Sequence, residues 1–252
     1  DHSQSEMSGD ADRAAIELHE LLHDFNIVKA GEKWSRGDEL MICPNLRAAQ
    51  IYPRENYWAR RREVIERLLS DSRVDQVMCR DDRGGEEGLH FHIATRDRTP
   101  LEFWPGSGGE GSARDVYGTE WSWNGDLRAI DGEVSSAGEL RYGDYPNALE
   151  RIAMAFDDRV SGDLWVTTRV GYELRLPETE VNLGGGSHAS LHADDSLVPL
   201  VVAGAPQDFD MPHDPRTVDV APVCLKLLGL ESARGIGESH VLTRVAHDAP
   251  PL

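Results

Sequence analysis

The chain has 252 residues, enough for one large domain or two small ones with a substantial buried core. Its formal net charge is −19, from 45 acidic and 26 basic residues. That charge argues against general nucleic-acid binding, which needs a basic face, and against binding to anionic membrane surfaces. No apolar stretch approaches the roughly 20 residues of a membrane span, so we predict no transmembrane segment.

The cysteines and the first residues bear on the class of protein. Cys43, Cys79 and Cys224 are odd in number and form no Cys-x-x-Cys pair, so the sequence predicts no disulfide framework. The chain starts at Asp1 without an initiator methionine and shows no signal peptide. We therefore expect a fragment or a processed product. The location stays open, with the cytoplasm slightly favoured.

In the first half of the chain, helical and strand patterns alternate. Apolar residues at helical spacing after Asp10 predict a first helix, with the buried stripe Ala14, Ala15, Leu18, Leu21, Leu22 and Phe25. Strand patterns lie at residues 40–43, 48–52, 74–79, 89–95 and 101–104. The first two strands are separated by Pro44-Asn45 turn chemistry, and a second helix is predicted over 57–69.

The second half begins with a polar stretch. Residues 105–145 are rich in Gly, Ser and acidic residues, which predicts a loop excursion with a possible strand near 121–123. The elements predicted after it are a helix over 147–156, strands over 164–168, 172–174 and 198–203, and a helix over 218–228 that ends at Gly229. This order indicates an α/β core interrupted by a small α+β insert over about 39–145.

Residues 184–190 are the clearest candidate for chemistry. Three glycines lead to His188, and glycine lets the backbone approach a ligand closely. Histidine is the commonest metal ligand among side chains. The apolar run that follows, at 198–203, is typical of a strand buried on both faces. The pattern predicts a catalytic loop that leads into a core strand.

At the other end of the chain, Asp1 stands beside His2. A carboxylate next to an imidazole suits zinc or another divalent ion, although the dipeptide alone is a weak signal. Its weight comes from the residues that follow it, Ser3-Gln4-Ser5, and from the His188 loop far downstream.

Together these stretches resemble the alkaline phosphatase superfamily, in particular its type I phosphodiesterase and nucleotide pyrophosphatase branch. Asp1-His2-Ser3-Gln4-Ser5 is similar to the Ser-Asp-His-Gly turn of that family. Gly186-Ser187-His188-Ala189, with Asp195 and Val198-Pro199-Leu200 after it, resembles the later Gly-x-His-Gly turn and its strand. Ser3 and Ala189 stand where the family usually has glycine. Weaker similarities lie at 162–166, 171–174 and 216–230.

The resemblance implies a fold and an activity. The fold would be a three-layer α/β/α sandwich, with residues 1–252 forming the C-terminal part of one alkaline-phosphatase-like catalytic domain. The activity would be hydrolysis of a phosphodiester or nucleotide pyrophosphate bond in a small-molecule phosphate ester. Two divalent metal ions, usually zinc, would assist a Thr or Ser nucleophile that lies upstream, so this chain would hold no catalytic residue. Asp1 and His2 would bind one ion, and His188 would help to bind the other.

Several alternatives stay open. Phosphomonoesterase, sulfatase and phosphomutase activities belong to the same superfamily, and an inactive relative would keep the fold without the site. His19-Glu20-Leu21-Leu22-His23 also matches the His-Glu-x-x-His pattern of zinc metalloproteases. No third ligand follows at the usual spacing, and both imidazoles flank an apolar stripe, as on a solvated helix edge.

The remaining candidates have weaker signals. His90 and His92 alternate on one strand face, which favours a half-exposed surface pair over a metal site. His192 is near enough to the glycine loop to touch a phosphate, although a surface role is favoured. Trp104, Trp121 and Trp123 are expected to anchor the core of the insert, and the insert to shape substrate specificity.

Overall fold

A ten-stranded mixed sheet dominates the fold, and the helices that accompany it are few. The computed structural model describes residues 3–54, 57–81, 89–158, 160–182, 184–211 and 214–230. The protein is therefore of mixed α/β class, as predicted. Among the described residues, no helix has both the length and the apolar character needed to cross a bilayer.

The bounds of the elements are as follows. The strands in the described residues are β1 (Ser5–Glu6), β2 (Ala15–Glu17), β3 (Leu40–Asn45), β4 (Ala48–Pro53), β5 (Val74–Asp81), β6 (His90–Ala94), β7 (Leu101–Pro105), β8 (Gly111–Asp115), β9 (Glu120–Asn124), β10 (Gly132–Val134), β11 (Glu139–Tyr142), β12 (Leu164–Thr168), β13 (Glu173–Arg175) and β14 (Gly186–Ser187). The helices there are α1 (Ala11–Ala14), α2 (Leu18–Leu21), α3 (Arg61–Ser70), α4 (Ala148–Ala155), α5 (Ala193–Ser196) and α6 (Val220–Leu227), with 3-10 turns at Tyr57–Arg60, Leu127–Ile130 and Thr217–Asp219.

The main sheet has the strand order β10-β11-β8-β9-β7-β6-β5-β12-β4-β3. Its neighbouring strands are antiparallel except β11 and β8, which are parallel. Strand β12, which comes late in the chain, lies between β5 and β4. Two small sheets join distant segments: β1 pairs with β14, and β2 pairs with β13.

The core consists of two apolar clusters on the two faces of this sheet. Successive residues of a strand point to opposite faces, and in β5 Val77 and Cys79 belong to one cluster while Met78 belongs to the other. Helix α3 contributes Val64 and Leu68 to the first cluster, and helix α4 contributes Leu149 and Ile152 to the second. The two longest helices of the first 160 residues therefore pack on opposite faces of the sheet.

Most elements with a clear apolar period are confirmed. The strand patterns at 40–43, 48–52 and 74–79 and the hairpin after residue 89 correspond to β3 to β7. The helices predicted at 57–69, 147–156 and 218–228 also form, each with a shift of a few residues. Gly229 has φ +68°, so the last helix ends at a left-handed glycine, as predicted.

The prediction of one continuous helix after Asp10 is wrong for residues 15–17. Residues Ala15–Glu17 form β2, which pairs in parallel with Glu173–Arg175. Ala15 and Ile16 are buried there, so strand pairing and tertiary packing outweigh the helical preference of this short stretch. The turn predicted at Pro44-Asn45 is also displaced, because β3 continues to Asn45 and the chain reverses at Leu46, whose φ is +58°.

Two further predictions, for residues 105–145 and for residues 198–203, differ from the structure. Residues 105–145 form strands β8, β10 and β11 where a loop was predicted, since short polar strands pair around Gly-containing turns, whereas β9 confirms the strand predicted near 121–123. Residues 198–203 form no strand, and the Val201 side chain is 82% exposed. A buried strand needs neighbours for its backbone groups, and no strand of the described residues pairs with this run.

Candidate functional site

The loop that carries His188 lies against the first strand of the chain. Strand β1 pairs antiparallel with β14, with Ser5 opposite Ser187 and Glu6 opposite Gly186. The Ser5 hydroxyl donates to the carbonyl oxygen of Ser187 at 3.2 Å, and both serines are buried. Antiparallel pairing brings the segment just before Ser5 alongside His188, which directly follows Ser187.

Close packing at this pairing explains one of the three glycines. A Cβ atom on Gly186 would lie 2.1 Å from Oε1 and 3.0 Å from Cβ of Gln4, so only glycine fits without displacing Gln4. A Cβ atom on Gly185 would meet nothing within 4 Å. Gly186 therefore allows the two segments to approach, whereas Gly185 has no such steric role.

Of the three predicted metal ligands, the structure describes His188, and Asp1 and His2 lie outside the described residues. His188 is half-buried, and its carbonyl oxygen accepts a hydrogen bond from the backbone N–H of Arg47 at 3.1 Å. In the described part of the chain, no group of three or more His, Cys, Asp or Glu side chains is placed to hold a metal ion.

Arg47 connects the elements around this loop, and it was not predicted from the sequence. Its fully buried guanidinium pairs with the carboxylate of Asp195 and donates to Oγ of Ser5 at 2.8 Å. It also donates to the carbonyl oxygen of Thr168, at the end of β12, at 3.0 Å. One side chain thus joins β1, β12 and the loop after His188. The only sequence signal was an arginine in the tight turn between two apolar strands.

Asp195 shows why an acidic residue follows the histidine turn. Its carboxylate is buried and accepts a hydrogen bond from the backbone N–H of Ser190 at 2.9 Å, in addition to its pairing with Arg47. A buried charge is tolerated when it is both paired and hydrogen-bonded, as this one is. The pair therefore fixes the loop backbone two residues after His188.

Ala189 occupies a backbone position that favours glycine. Its φ is +90°, in a region that a residue with a Cβ atom rarely adopts. The turn therefore forms with alanine, at a conformational cost of roughly 1–2 kcal/mol.

A second arginine, which is half-buried, supports the far side of the loop. Arg151 of α4 donates to the carbonyl oxygen of Leu191 at 2.8 Å and to Oγ of Ser196 at 2.8 Å. Burial lowers the pKa of Arg151 to about 10, which still leaves it charged at neutral pH. His192 caps α5 by accepting from the backbone N–H of Asp194 at 3.2 Å. The segment from His188 to Ser196 is thus held at both ends.

The His-Glu-x-x-His segment does not adopt the geometry of a metalloprotease. Helix α2 ends at Leu21, so His23 lies beyond it. Nδ1 of His23 is 2.9 Å from the carbonyl oxygen of Glu20, and Nε2 is 3.3 Å from Asp24. Nδ1 of His19 lies 3.5 Å from Glu17 instead. The two imidazoles therefore contact different partners and do not lie one turn apart on a common helix.

The other aromatic and histidine candidates have local partners. Nδ1 of His90 is 3.0 Å from Oε1 of Glu102, and its ring stacks on Trp104 with centroids 4.5 Å apart. Nε2 of His92 is 3.5 Å from Asp81, and burial lowers the pKa of His92. Of the three tryptophans predicted to anchor the insert, Trp121 and Trp123 are buried in the apolar cluster on one face of the main sheet.

Comparisons with known proteins assign neither a family nor a function to this chain. No protein-family model matches the chain, and neither the curated proteins nor the solved structures give a significant match. The protein class that the structure defines is a mixed α/β protein with an antiparallel-rich ten-stranded sheet.

Proposed function

We propose that this chain is part of a metal-dependent hydrolase of phosphate esters, similar to the type I phosphodiesterases and nucleotide pyrophosphatases of the alkaline phosphatase superfamily. One observation carries the proposal, the pairing of β1 with β14. It joins Ser5 and Ser187, which are 182 positions apart, and so brings together the two segments that carry the resemblance. The bond that is cleaved is a phosphodiester or a nucleotide pyrophosphate bond.

The donor set fits two divalent ions, with zinc preferred. Carboxylate and imidazole groups suit zinc, and Asp1, His2 and His188 would hold the ions together with ligands from upstream. When bound, two such ions supply electrostatic stabilisation of the entering and leaving oxygens in phosphoryl transfer. The contribution of Arg47 and Asp195 is to fix the loop that orients His188, since outer contacts of this kind position metal ligands.

The fold supports a three-layer α/β/α arrangement that is incomplete in this chain. Helices α3 and α4 pack on opposite faces of the sheet, which is the arrangement of such a sandwich. We infer that residues 1–252 are the C-terminal part of one catalytic domain, with an insert over about 39–145, and that upstream sequence supplies the nucleophile.

Hydrolysis by the full polypeptide, including the sequence before Asp1, tests this proposal. With zinc present, we expect turnover of bis(p-nitrophenyl) phosphate, and His188→Ala should reduce it by about 100-fold or more because a metal ligand is lost. His23→Ala is the matched control and should retain full activity. Loss of activity with His23→Ala but not with His188→Ala would refute the proposal.

Two further measurements distinguish a phosphodiesterase from the alternative activities and test where the nucleophile lies. p-Nitrophenyl phosphate and p-nitrophenyl sulfate should be poorer substrates than the diester, whereas a clear preference for either would assign monoesterase or sulfatase activity. Residues 1–252 alone should hydrolyse the diester no faster than zinc in buffer, because the nucleophile and several ligands are missing. Zinc-dependent turnover by residues 1–252 would contradict the claim that the nucleophile lies upstream.

A further inference from the structure

The His192 side chain is held at the start of α5 by a backbone donor. Its Nδ1 accepts a hydrogen bond from the N–H of Asp194 at 3.2 Å. The N–H of Ala193 donates instead to the carbonyl oxygen of Asp144 at 2.7 Å. The N–H of Asp195 donates to the carbonyl oxygen of His192 itself at 3.1 Å. The imidazole is therefore the acceptor that satisfies the Asp194 N–H at this helix start.

Only a neutral imidazole makes this hydrogen bond. The neutral ring has one N–H and one acceptor nitrogen, and because Nδ1 accepts, Nε2 carries the proton. A protonated ring has two N–H donors, so its Nδ1 would face the N–H of Asp194 donor to donor. Nδ1 of His192 also lies 3.6 Å from Oδ2 of Asp194, which accepts from a protonated ring. Nδ1 thus has a different partner on Asp194 in each protonation state.

Solvent reaches the ring, so it can take up a proton in the folded protein. The His192 side chain is 21% exposed and lies in the wall of a cleft. Its ring meets that of Tyr145 edge-on, with centroids 5.8 Å apart. The titratable or charged groups around it are Asp75 of β5, Asp144 and Tyr145 before α4, Arg151 of α4, Arg169 of the β12–β13 turn and Asp194 of α5. Histidine is the side chain whose charge ordinarily changes between about pH 5 and 8.

The start of α5 is connected to the His188 loop through Asp195. Asp195 directly follows Asp194 in the first turn of α5. Its carboxylate pairs with Arg47 and accepts from the N–H of Ser190, which fixes the backbone two residues after His188. Loosening of the first turn of α5 therefore loosens the anchor of the loop that orients His188.

We propose that His192 is a pH-dependent positioning residue for the loop that carries His188. When the ring is neutral, it caps α5 and the loop is held. When the ring is protonated, the cap is exchanged for an ion pair with the Asp194 carboxylate, and the loop loosens. The exchange of partners depends on the geometry of α5 alone, whereas its role in controlling metal binding rests on the proposed hydrolase function.

Hydrogen exchange of the Asp194 amide, read at single-residue resolution in the metal-free full polypeptide, tests the exchange of partners. Protection is calculated relative to an unstructured chain at the same pH, so the ordinary pH dependence of amide exchange cancels. In the wild type, protection should be about fivefold lower at about pH 5 than at about pH 8, which corresponds to the loss of one helix cap. His192→Asn should keep its protection at both pH values, because an asparagine oxygen caps a helix regardless of pH, and His192→Ala should be poorly protected at both.

Two further variants separate the parts of the proposal. Asp194→Asn should require a more acidic pH for the same loss of protection, because the protonated ring then has no carboxylate partner on α5. His23→Ala is the matched control, since His23 is exposed and lies outside α5, and it should behave as the wild type. Amides of the central strand β5 should be equally protected in all variants, which verifies that each is folded.

Three results of the exchange experiment would overturn the proposal. They are equal protection of the wild type at the two pH values, a loss of protection that persists in His192→Asn, and a loss that disappears in His23→Ala.

Zinc affinity, measured by competition with a chelator, tests the connection to His188. His192→Asn and the wild type should bind zinc equally at about pH 8, and the variant should bind about fivefold more tightly at about pH 5.5. Protonation of the metal ligands weakens both proteins alike, so the ratio of the two affinities isolates His192. Equal affinities at the acidic pH would overturn the positioning role. If neither protein binds zinc, the hydrolase proposal fails, and the amide exchange still decides whether His192 changes partners.

Discussion

Replacing Arg47 by methionine should destabilise the protein far more than replacing an exposed arginine. The exposed fractions of the Arg47 and Asp195 side chains are 0% and 1%, so the variant leaves a carboxylate buried beside an apolar side chain. Removing one partner of a buried ion pair costs roughly 3–5 kcal/mol. The lost bonds to Ser5 and Thr168 contribute to this cost. The expected loss is a large share of a typical stability of about 5–15 kcal/mol.

Urea unfolding followed by tryptophan fluorescence measures this loss. Arg62→Met is the matched control, because Arg62 is highly exposed and its pairing with Glu66 is solvated, so its unfolding midpoint should hardly change. Arg47→Met combined with Asp195→Leu should lose less stability than the sum of the single variants, since no charge then remains buried. A loss below about 1 kcal/mol for Arg47→Met would refute the role we assign to the pair.

Three further predictions concern the same region. Gly186→Ala should lower the free energy of unfolding by about 1 kcal/mol or more, because the added methyl meets Gln4, whereas Gly185→Ala should be near neutral; equal effects in urea unfolding would contradict this. Ala189→Gly should raise stability by about 1 kcal/mol, and a loss would show that the positive φ is not strained. Burial raises the pKa of Asp75, so the folded carboxyl keeps its proton at pH values where the unfolded one, with a pKa of about 3.9, has lost it. Wild-type stability is therefore reduced as the pH rises above the unfolded-state pKa, and the stability of Asp75→Asn relative to wild type should increase with pH there; a constant difference would argue against the shift.

The sequence predicted those parts of the fold whose pattern is local. Strands such as β5 and helices such as α4 follow from apolar residues at a clear period, because each buries one face or stripe. Strand β2 could not be predicted, since its partner β13 lies about 160 residues later and only the pairing outweighs the helical pattern. Strands β8, β10 and β11 were missed because their short, polar sequences lie among glycines and resemble a loop, whereas the tryptophans of β9 had indicated a strand.

In the candidate site, too, the sequence predicted the residue with a local signal and missed the residue whose role comes from distant contacts. His188 stood out through its glycines, and the positive φ of Ala189 agrees with a position where glycine is usual. Arg47 had no distinguishing motif, since its importance comes from contacts with Ser5, Thr168 and Asp195, which are far apart in the sequence.

Zinc stoichiometry of the full polypeptide, measured by native mass spectrometry, tests the central claim most directly. We predict two zinc ions in the wild type, loss of one with His188→Ala, loss of the other with His2→Ala, and two retained with His23→Ala. Two zinc ions in the His188→Ala variant, or the loss of one with His23→Ala, would contradict the assignment of His188 as a metal ligand.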